Sequence, residues 1–243
     1  MLWHRYDLGE SRVIYVTGDI HGEMDRFQDS KLRRLRKNDV LIVCGDFGFI
    51  WDGGKREEKN LKKIGSRKYK VLFIDGTHEN FDLLNRYPLE EWHGGKVHHI
   101  CGNLYHLMRG QVYEIDDKRI FTFGGGESSD KEMRITARRW WPCELPNELE
   151  MREGMENLRA YDYKVDYIFT HEPPPNLYSV HGKPQEENRN RLDTYLGWLM
   201  KQVDYKKWFF GSRHIDRRIT RKDYYVFDDI IPVEDFSKPH HLI

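Results

Sequence analysis

Acidic and imidazole side chains stand at the ends of several apolar runs in this sequence. Asp19 and His21, two positions apart in GDIHG, follow the run RVIYVT, and Asp46 follows VLIVC in CGDFG. His171 in FTHEP and His214 in FGSRH close two later apolar runs. If extended geometry continues through GDIHG, the side chains of Asp19 and His21 leave the same face of the strand. Mixed carboxylate and imidazole ligation suits Mn, Fe, Ni or Zn, so the pattern predicts a metal site.

The stretch DGTHEN, residues 75–80, follows the apolar run KVLFI and places a Gly and a Thr directly before a His-Glu pair. Gly suits a sharp turn, and His is the side chain best placed to move a proton near neutral pH. His78 is therefore a candidate catalytic residue, and Thr77 stands where a metal ligand could be expected. Each of these residues alone has a plainer structural reading as a turn former, a helix cap or a core histidine. Their joint order along the chain carries the prediction.

The elements that must position these side chains alternate through the first half of the chain. The segments 12–22, 39–48 and 70–80 each predict a buried strand and its terminal loop. KREEKNLKKIG predicts a charged surface helix that ends at Gly65. Such alternation indicates an α/β sheet with parallel strands, in which ligands bind beyond the carboxyl ends of the strands.

The second half of the chain indicates a different pairing. KVHHI, QVYEI and RIFTFGGG are short apolar runs with turn residues between them, which favours an antiparallel meander. A strand at 165–175 must stop at its prolines, and apolar positions from Leu192 to Val203 mark one helix face. No repeat or long linker interrupts the pattern, so we expect one domain over 1–243 with an insertion near the site at about 127–160.

Composition bounds the class of protein. The 243 residues are 38% hydrophobic and 33% charged, which indicates a globular chain. The formal net charge is +0, so the chain as a whole has no electrostatic attraction to nucleic acid or to a membrane surface. Nucleic acid stays open as a partner through local basic patches. No apolar run is long enough to span a bilayer, and MLWHRYDLGESR lacks the apolar region of a signal peptide. Three cysteines without tight spacing favour a reduced, cytoplasmic protein.

The motifs as a set resemble a known family. In chain order, GDIHG, GDFG, GTHEN, TH and GSRH resemble the G-D-x-H, G-D, G-N-H-E/D, H and G-H-x-H motifs of the calcineurin-like metallophosphoesterases, over residues 18–214. The resemblance implies a four-layer α/β/β/α sandwich of two mixed sheets, with a metal site at the carboxyl ends of strands. It also implies metal-dependent hydrolysis of a phosphomonoester or phosphodiester, either a small molecule or a nucleotide, by a metal-activated water.

Carried over position by position, the resemblance implies a role for each metal-binding residue. Asp19, His21 and His214 would bind the first metal. Asp46 would bridge two metals, and His171 would bind the second. The family's remaining histidine, at position 78, would not be a ligand and would act near the leaving oxygen as a general acid or electrostatic partner.

The sequence departs from the family pattern at two positions, and both belong to the second metal. Thr77 replaces the family's Asn, and Ser212 replaces the first His of G-H-x-H. Neutral hydroxyl oxygens are poorer donors to a borderline cation than imidazole, so we expect one tightly bound metal, with Mn the first choice, and an uncertain second. Arg213 and Arg139 are candidates for a replacement phosphate clamp because a guanidinium matches phosphate geometry, although a surface role is the plainer reading of each.

Two functions remain open on the sequence. An enzyme is favoured by the complete first metal set and by His78, which a scaffold does not need. A catalytically weak or inactive scaffold that binds a partner is favoured by Thr77 and Ser212. The strip ARRWWPCE at 137–144 could stack a base and hold its phosphate, or pack its tryptophans inward as a lid. The natural substrate and the oligomeric state do not follow from these residues.

Overall fold

A computed structural model of the chain describes residues 12–178 and 189–234. Two β-sheets, of seven and six strands in the described residues, stack face to face, and helices cover the outer face of each. The predicted four-layer α/β/β/α sandwich of two mixed sheets is confirmed. The N-terminal stretch on which the expectation of no signal peptide depends lies outside the described residues, apart from Arg12.

The described strands are β1 (Ile14–Thr17), β2 (Val40–Cys44), β3 (Lys70–Ile74), β4 (Leu89–Trp92), β5 (Gly95–Cys101), β6 (Leu104–Leu107), β7 (Gln111–Ile115), β8 (Lys118–Phe123), β9 (Lys164–Thr170), β10 (Asp204–Phe210), β11 (Arg217–Arg218), β12 (Asp223–Tyr225) and β13 (Ile231–Pro232). The described α-helices are α1 (Ser30–Arg33), α2 (Lys55–Gly65), α3 (Phe81–Leu84), α4 (Lys131–Thr136), α5 (Glu148–Ala160), α6 (Pro175–Tyr178) and α7 (Arg191–Gln202). Short 3-10 helices cover Met24–Gln28 and Pro142–Glu144.

The first sheet has the order β13-β1-β2-β3-β6-β5-β4, and β1, β2, β3 and β6 run parallel within it. Every residue of β2 is buried because helices cover one face and the second sheet covers the other. Strands buried on both faces read as continuous apolar runs, which is why the sequence predicted them correctly. Since these strands are parallel, the loops after β1, β2 and β3 emerge at the same edge of the sheet.

The second sheet has the order β11-β12-β10-β9-β8-β7. The prediction of a single antiparallel meander through KVHHI, QVYEI and RIFTFGGG is wrong. β5 pairs with β4 and β6 in the first sheet, whereas β7 pairs with β8 in the second, and β8 then lies parallel to β9. The periodicity of a short strand shows which face is buried but does not reveal its partner strand. The change of sheet between β6 and β7 therefore could not be predicted from the sequence pattern.

Three apolar cores hold the layers together. Side chains such as Ile42 of β2 and Phe169 of β9 fill the space between the two sheets. Helices α1, α2 and α3 pack on the outer face of the first sheet. Helices α5 and α7 pack on the outer face of the second, and the predicted apolar face of α7 is confirmed, with Leu196 and Leu199 fully buried. Burial of this kind stabilises by about 25 cal/mol for each Å² of apolar surface.

The segment 127–160 contains two different kinds of structure. Its first part contains α4 and a 3-10 turn and lies beside the loops after β2 and β3. Arg134 of α4 contacts the second of these loops, where it donates to the carbonyl of Thr77 at 2.7 Å. Its second part is α5, whose predicted capping box is confirmed by reciprocal bonds between Asn147 and Glu150. Because α5 also belongs to the outer helix layer, the bounds of an insertion stay a prediction, as does the single domain. In the described residues, no helix has both the length and the apolar character that crossing a membrane requires.

Candidate metal centre

The loops after β1, β2, β9 and β10 bring the predicted ligands together at one edge of the sandwich. Asp19, His21 and His214 each offer a ligand atom within 4.8 Å of the others, and so do Asp19, Asp46 and His171. The Nε2 atoms of His21 and His214 lie 3.0 Å apart. Two imidazole nitrogens and a buried carboxylate that converge in this way form a donor set that fits a divalent transition metal.

Asp46 stands between the two groups of ligands. Its Oδ2 lies 3.8 Å from Nε2 of His21, and its Oδ1 lies 3.5 Å from Nε2 of His171. Oδ1 also accepts the backbone N–H groups of Thr77 at 2.6 Å and His78 at 2.8 Å. The oxygen that faces His171 is therefore already engaged by two strong donors, whereas Oδ2 receives no backbone N–H in the described residues.

His171 is held in one orientation by the loop beside it. Its Nδ1 lies 3.1 Å from the carbonyl oxygen of Cys44, which can only accept, so Nδ1 carries a hydrogen. Burial lowers the pKa of His171, but the carboxylates of Asp46 and Asp19 outweigh burial and raise the pKa to about 9. The pocket around this imidazole therefore attracts positive charge, which a proton or a metal ion can supply.

The two carboxylates of the centre are almost completely removed from water, with Asp19 2% and Asp46 3% exposed. Burial raises the pKa of Asp19 to about 8, and the charge of Asp46 adds to the increase. Burial also raises the pKa of Asp46, but His171 and His78 outweigh it and hold that pKa below its usual range. Buried carboxylates of this kind need compensating positive charge, and a divalent cation would provide it.

The backbone that carries these ligands is not an extended strand. Five residues of these loops have a positive φ, between 44° and 64°, a backbone region that residues other than Gly rarely adopt: Asp19, His21, Asp46, Ser212 and His214. The expectation that extended geometry persists through GDIHG is therefore wrong, because β1 ends at residue 17. The left-handed turns bring the side chains to a common point instead, at a cost of order 1–3 kcal/mol each.

Two glycines allow the loops to approach one another this closely. A Cβ added at Gly45 would lie 2.1 Å from Nδ1 of His171, and one added at Gly76 would lie 2.2 Å from Oδ1 of Asp46. Gly45 also has a φ of +85°. Both contacts are far shorter than atoms can tolerate, so these positions require glycine on steric grounds.

His78 forms a carboxylate–imidazole pair with Asp46. Nδ1 of His78 lies 2.8 Å from Oδ2 of Asp46 and 3.1 Å from Oγ1 of Thr77. The carboxylate accepts, so Nδ1 carries the hydrogen and Nε2 remains free to exchange a proton. The side chain is 40% exposed and lines two separate cavities, one on each side. His78 also offers a nitrogen within 4.8 Å of ligand atoms of His21 and Asp46, so this geometry by itself permits ligation too.

The two positions that depart from the family pattern have other partners here. The backbone N–H of Thr77 binds Asp46, as described above, and the backbone N–H of Ser212 donates to Asp19 at 3.0 Å. The hydroxyl of Ser212 lies 3.1 Å from Oε2 of Glu172, and Nη2 of Arg213 lies 3.7 Å from the same oxygen. A serine, a carboxylate and a guanidinium therefore occupy the region beside His171.

The segment ARRWWPCE, residues 137–144, packs against neighbouring residues and lines neither of the two cavities beside His78. Nε1 of Trp141 donates to Asp82 at 2.8 Å, and its ring meets the edge of Trp51 at 5.9 Å between centroids. Arg139 lies over the ring of Trp51 and donates to its carbonyl at 3.4 Å. Arg139 is not among the residues that line the two cavities beside His78, whereas Arg213 lines one of them.

Sequence reasoning missed the residues that hold these loops from behind. Glu79 is fully buried, and its Oε1 accepts the backbone N–H of Phe47 at 2.7 Å, which ties the loop after β3 to the loop after β2. Burial and the charge of Asp46 raise its pKa well above the usual range. The neighbouring Asp75 is paired with Arg109 at 2.6 Å. Asp75 and Glu79 lie within DGTHEN and could have been suspected, but Arg109 has no local signal.

The family assignment follows from this fold and from a direct match. The family model described as calcineurin-like phosphoesterase matches residues 12–223, so the chain belongs to that family. Among solved structures, TT1561 of Thermus thermophilus is similar over 90% of this chain and 89% of its own, with a TM-score of 0.50 and 12% identity, a likeness of fold alone. Phosphopantetheinyl hydrolase (PptH) from Mycobacterium tuberculosis matches with 14% identity over 97% of this chain and 100% of its own, at a TM-score of 0.44. No curated protein that was compared matches the chain.

Proposed function

We propose that this protein is a metal-dependent phosphoesterase that hydrolyses a phosphomonoester or a phosphodiester. The proposal rests on two groups of side chains that lie together at one edge of the sheets. One is the convergence of Asp19, His21 and His214, and the other is the pair that Asp46 forms with His78. Membership of the calcineurin-like phosphoesterases supports hydrolase chemistry on phosphate esters.

In this proposal, the side chains of Asp19, His21, Asp46 and His214 hold one cation. When bound, the cation offsets the charge of the phosphoryl oxygens and lowers the pKa of a coordinated water toward neutrality. The backbone N–H of Ser212 keeps Asp19 oriented through bonds of 3.2 and 3.0 Å to its two oxygens. The mixed donor set favours Mn, with Fe, Ni or Zn as alternatives.

His78 supplies the proton that the leaving group needs. Hydrolysis forms a bond from phosphorus to the water oxygen and breaks the bond from phosphorus to the ester oxygen. The ester oxygen takes a proton from Nε2 of the imidazolium form of His78, which leaves a neutral imidazole, and the proton lost by the water restores the imidazolium. Asp46 orients the ring through the contact of 2.8 Å at Nδ1, which directs Nε2 away from the carboxylate.

A second cation would be bound weakly in this proposal. The ligand group on that side consists of His171 with Asp19 and Asp46, both of which the first cation also uses, and Oδ1 of Asp46 already accepts two backbone N–H groups. The hydroxyl of Ser212 is turned to Glu172, as the 3.1 Å contact requires. Arg213 lies in the same cavity and could contact a phosphate oxygen as a replacement clamp, in exchange for its present contact with Glu172.

The scaffold alternative is less well supported. A protein that only binds a partner needs neither buried, converging metal ligands nor an imidazole oriented by a carboxylate, and both cost free energy when they are not used. The substrate would be a small-molecule or nucleotide phosphate ester. A cytoplasmic location stays a prediction from the cysteine pattern.

The test combines metal analysis with hydrolysis of an aryl phosphomonoester and a bis-aryl phosphodiester in the presence of Mn²⁺. We expect about one bound metal per chain and measurable turnover of at least one ester. Asp19→Asn should lower both metal content and rate. His99→Ala is the matched control, because His99 contacts Glu90 and Gly102 away from the centre and should change neither. Wild-type protein that binds metal but hydrolyses no phosphate ester would contradict the proposal.

A further inference from the structure

A groove of about 420 Å³ lies between the metal centre and helix α2. His21 and His78 line it together with Trp51, Arg56 and Asn60. The groove is therefore continuous with the centre, and the imidazole proposed to protonate the leaving oxygen forms part of its wall. A group that departs from phosphorus beside His78 has direct access to this space.

Two polar side chains in the groove are available to a ligand. Arg56 is exposed and Asn60 is half-buried, and neither side chain has a hydrogen bond or an ion pair with any described residue. The acidic neighbours differ. The carboxylate of Glu57 accepts the backbone N–H groups of residues 51, 52 and 53 at 2.8, 2.8 and 3.2 Å, and that of Asp52 accepts the N–H of Gly54 at 2.7 Å. Both acids are engaged by the turn, which leaves the guanidinium of Arg56 as the groove's charge without a partner among the described residues.

The cavity on the other side of His78 is more acidic than the groove. It is of similar size, about 410 Å³, and Glu127, Asp130, Glu172 and Asp193 line it. Its arginine, Arg213, already lies 3.7 Å from Glu172. A leaving group with negative charge would be repelled more strongly there than in the groove beside α2, where both carboxylates are bonded to the turn and Arg56 offers a positive charge.

We propose that the groove beside α2 binds the leaving group of the substrate and that this leaving group carries a second anionic group, which Arg56 recognises. The proposal rests on the proposed function, since it assumes that the phosphoryl group lies at the metal centre. Arg56 contacts the second anion as a charged donor, and Asn60 offers an amide to the polar groups between. The ring of Trp51 provides an apolar wall beside them.

The test uses two ligands that differ by one phosphate, adenosine 5′-monophosphate and adenosine 3′,5′-bisphosphate. Whichever phosphate of the bisphosphate occupies the centre, the other one is on the leaving group. Arg56→Gln removes the charge, and Lys59→Gln is the matched control, because Lys59 is an exposed cation on the same helix that does not line the groove. Affinity is measured by calorimetry on Mn²⁺-loaded protein with His78→Asn as the common background, so that the ligands are not consumed. Values of kcat/KM come from the same variants with His78 intact.

We expect Arg56→Gln to weaken binding of the bisphosphate by about tenfold or more, the value of one hydrogen bond to a charged group. Binding of the monophosphate should be unchanged, and Lys59→Gln should leave both affinities unchanged. Equal affinity of the Arg56→Gln and parent proteins for the bisphosphate would overturn the assignment of the groove, even if hydrolysis persists. Binding that depends on Arg56, without hydrolysis of any ester by the wild type, would support the groove and overturn the proposed function.

Discussion

Replacing Arg109 with Met would leave a buried carboxylate without its cation next to the loop that carries Thr77 and His78. Arg109 is 7% exposed and Asp75 is 1% exposed on the side chain. Nε and Nη2 of Arg109 donate to Oδ2 of Asp75 at 2.9 and 2.6 Å, and Nη1 donates to both oxygens of Glu150 at 3.2 Å. Burial raises the pKa of Asp75, but Arg109 and His106 together outweigh it and hold that pKa below its usual range.

The expected loss of stability follows from the burial of this pair. Removing one partner of a buried ion pair costs about 3–5 kcal/mol, and we expect the lower end of that range here, because Asp75 keeps a contact of 3.1 Å with Nε2 of His106. The exposed pair of Lys96 and Glu153, at 2.7 Å, is the control, and Lys96→Met should cost no more than about 1 kcal/mol. The double change Arg109→Met with Asp75→Asn should recover part of the loss, since no buried charge then remains at position 75.

Urea unfolding followed by circular dichroism measures these differences, provided that the slope with denaturant stays constant. Metal content should also fall in Arg109→Met, because Asp75 precedes the loop whose N–H groups orient Asp46. An unfolding free energy within about 1 kcal/mol of wild type would refute the reasoning, since loss of the guanidinium from a buried carboxylate should cost more than that even with His106 in contact. A metal content equal to that of wild type would refute the proposed support of the loop.

Three other predictions concern the centre and the sheet edge. His78→Asn should lower kcat by about 100-fold with metal content retained, as for a lost general acid, and a parallel loss of metal would make it a ligand instead. Dialysed wild-type protein should hold about one metal per chain, and Thr77→Asn with Ser212→His should raise this number; two tightly held metals in the wild type would contradict the weak second site. Burial and neighbouring His106 lower the pKa of His98 from 6.5 to about 4. On acidification the unfolded chain therefore binds a proton at this position before the folded chain does, and the unfolding free energy should fall as the pH drops from about 6.5 to about 4. His98→Gln should reduce that fall, and identical pH slopes of unfolding free energy in the two proteins would disprove it.

Local patterns were sufficient for much of the architecture. The strands β1, β2 and β3 were predicted because burial on both faces leaves a continuous apolar run. The capping box at Asn147 and the buried face of α7 were predicted because both depend on residues a few positions apart. The change of sheet after β6 was not predicted, because strand pairing depends on residues distant in sequence.

The same division holds at the candidate site, where short segments contain most of the candidate ligands. Asp19, His21 and Asp46 could be selected because each directly follows a strand, and the parallel order of the strands brings their ends together. The expected common face in GDIHG was wrong, since positive φ at Asp19 and His21 depends on the loops packed around them. The engagement of Asp46 by the N–H groups of Thr77 and His78 likewise requires two loops to meet.

The sequence by itself determined the parallel α/β strands of the first half, the order of the candidate ligands and the candidate imidazole, because apolar periodicity and motif spacing are properties of neighbouring residues, and the layered sandwich followed from the family resemblance of the motifs. Only the tertiary structure decided which side chains support or extend the site. Arg109 reaches Asp75 across 34 positions, and Ser212 reaches Glu172 across 40. Arg56 joins the wall that contains His21 and His78 only because α2 packs beside their loops. Contacts between distant segments are set by how the layers pack, and no short stretch of the chain encodes them.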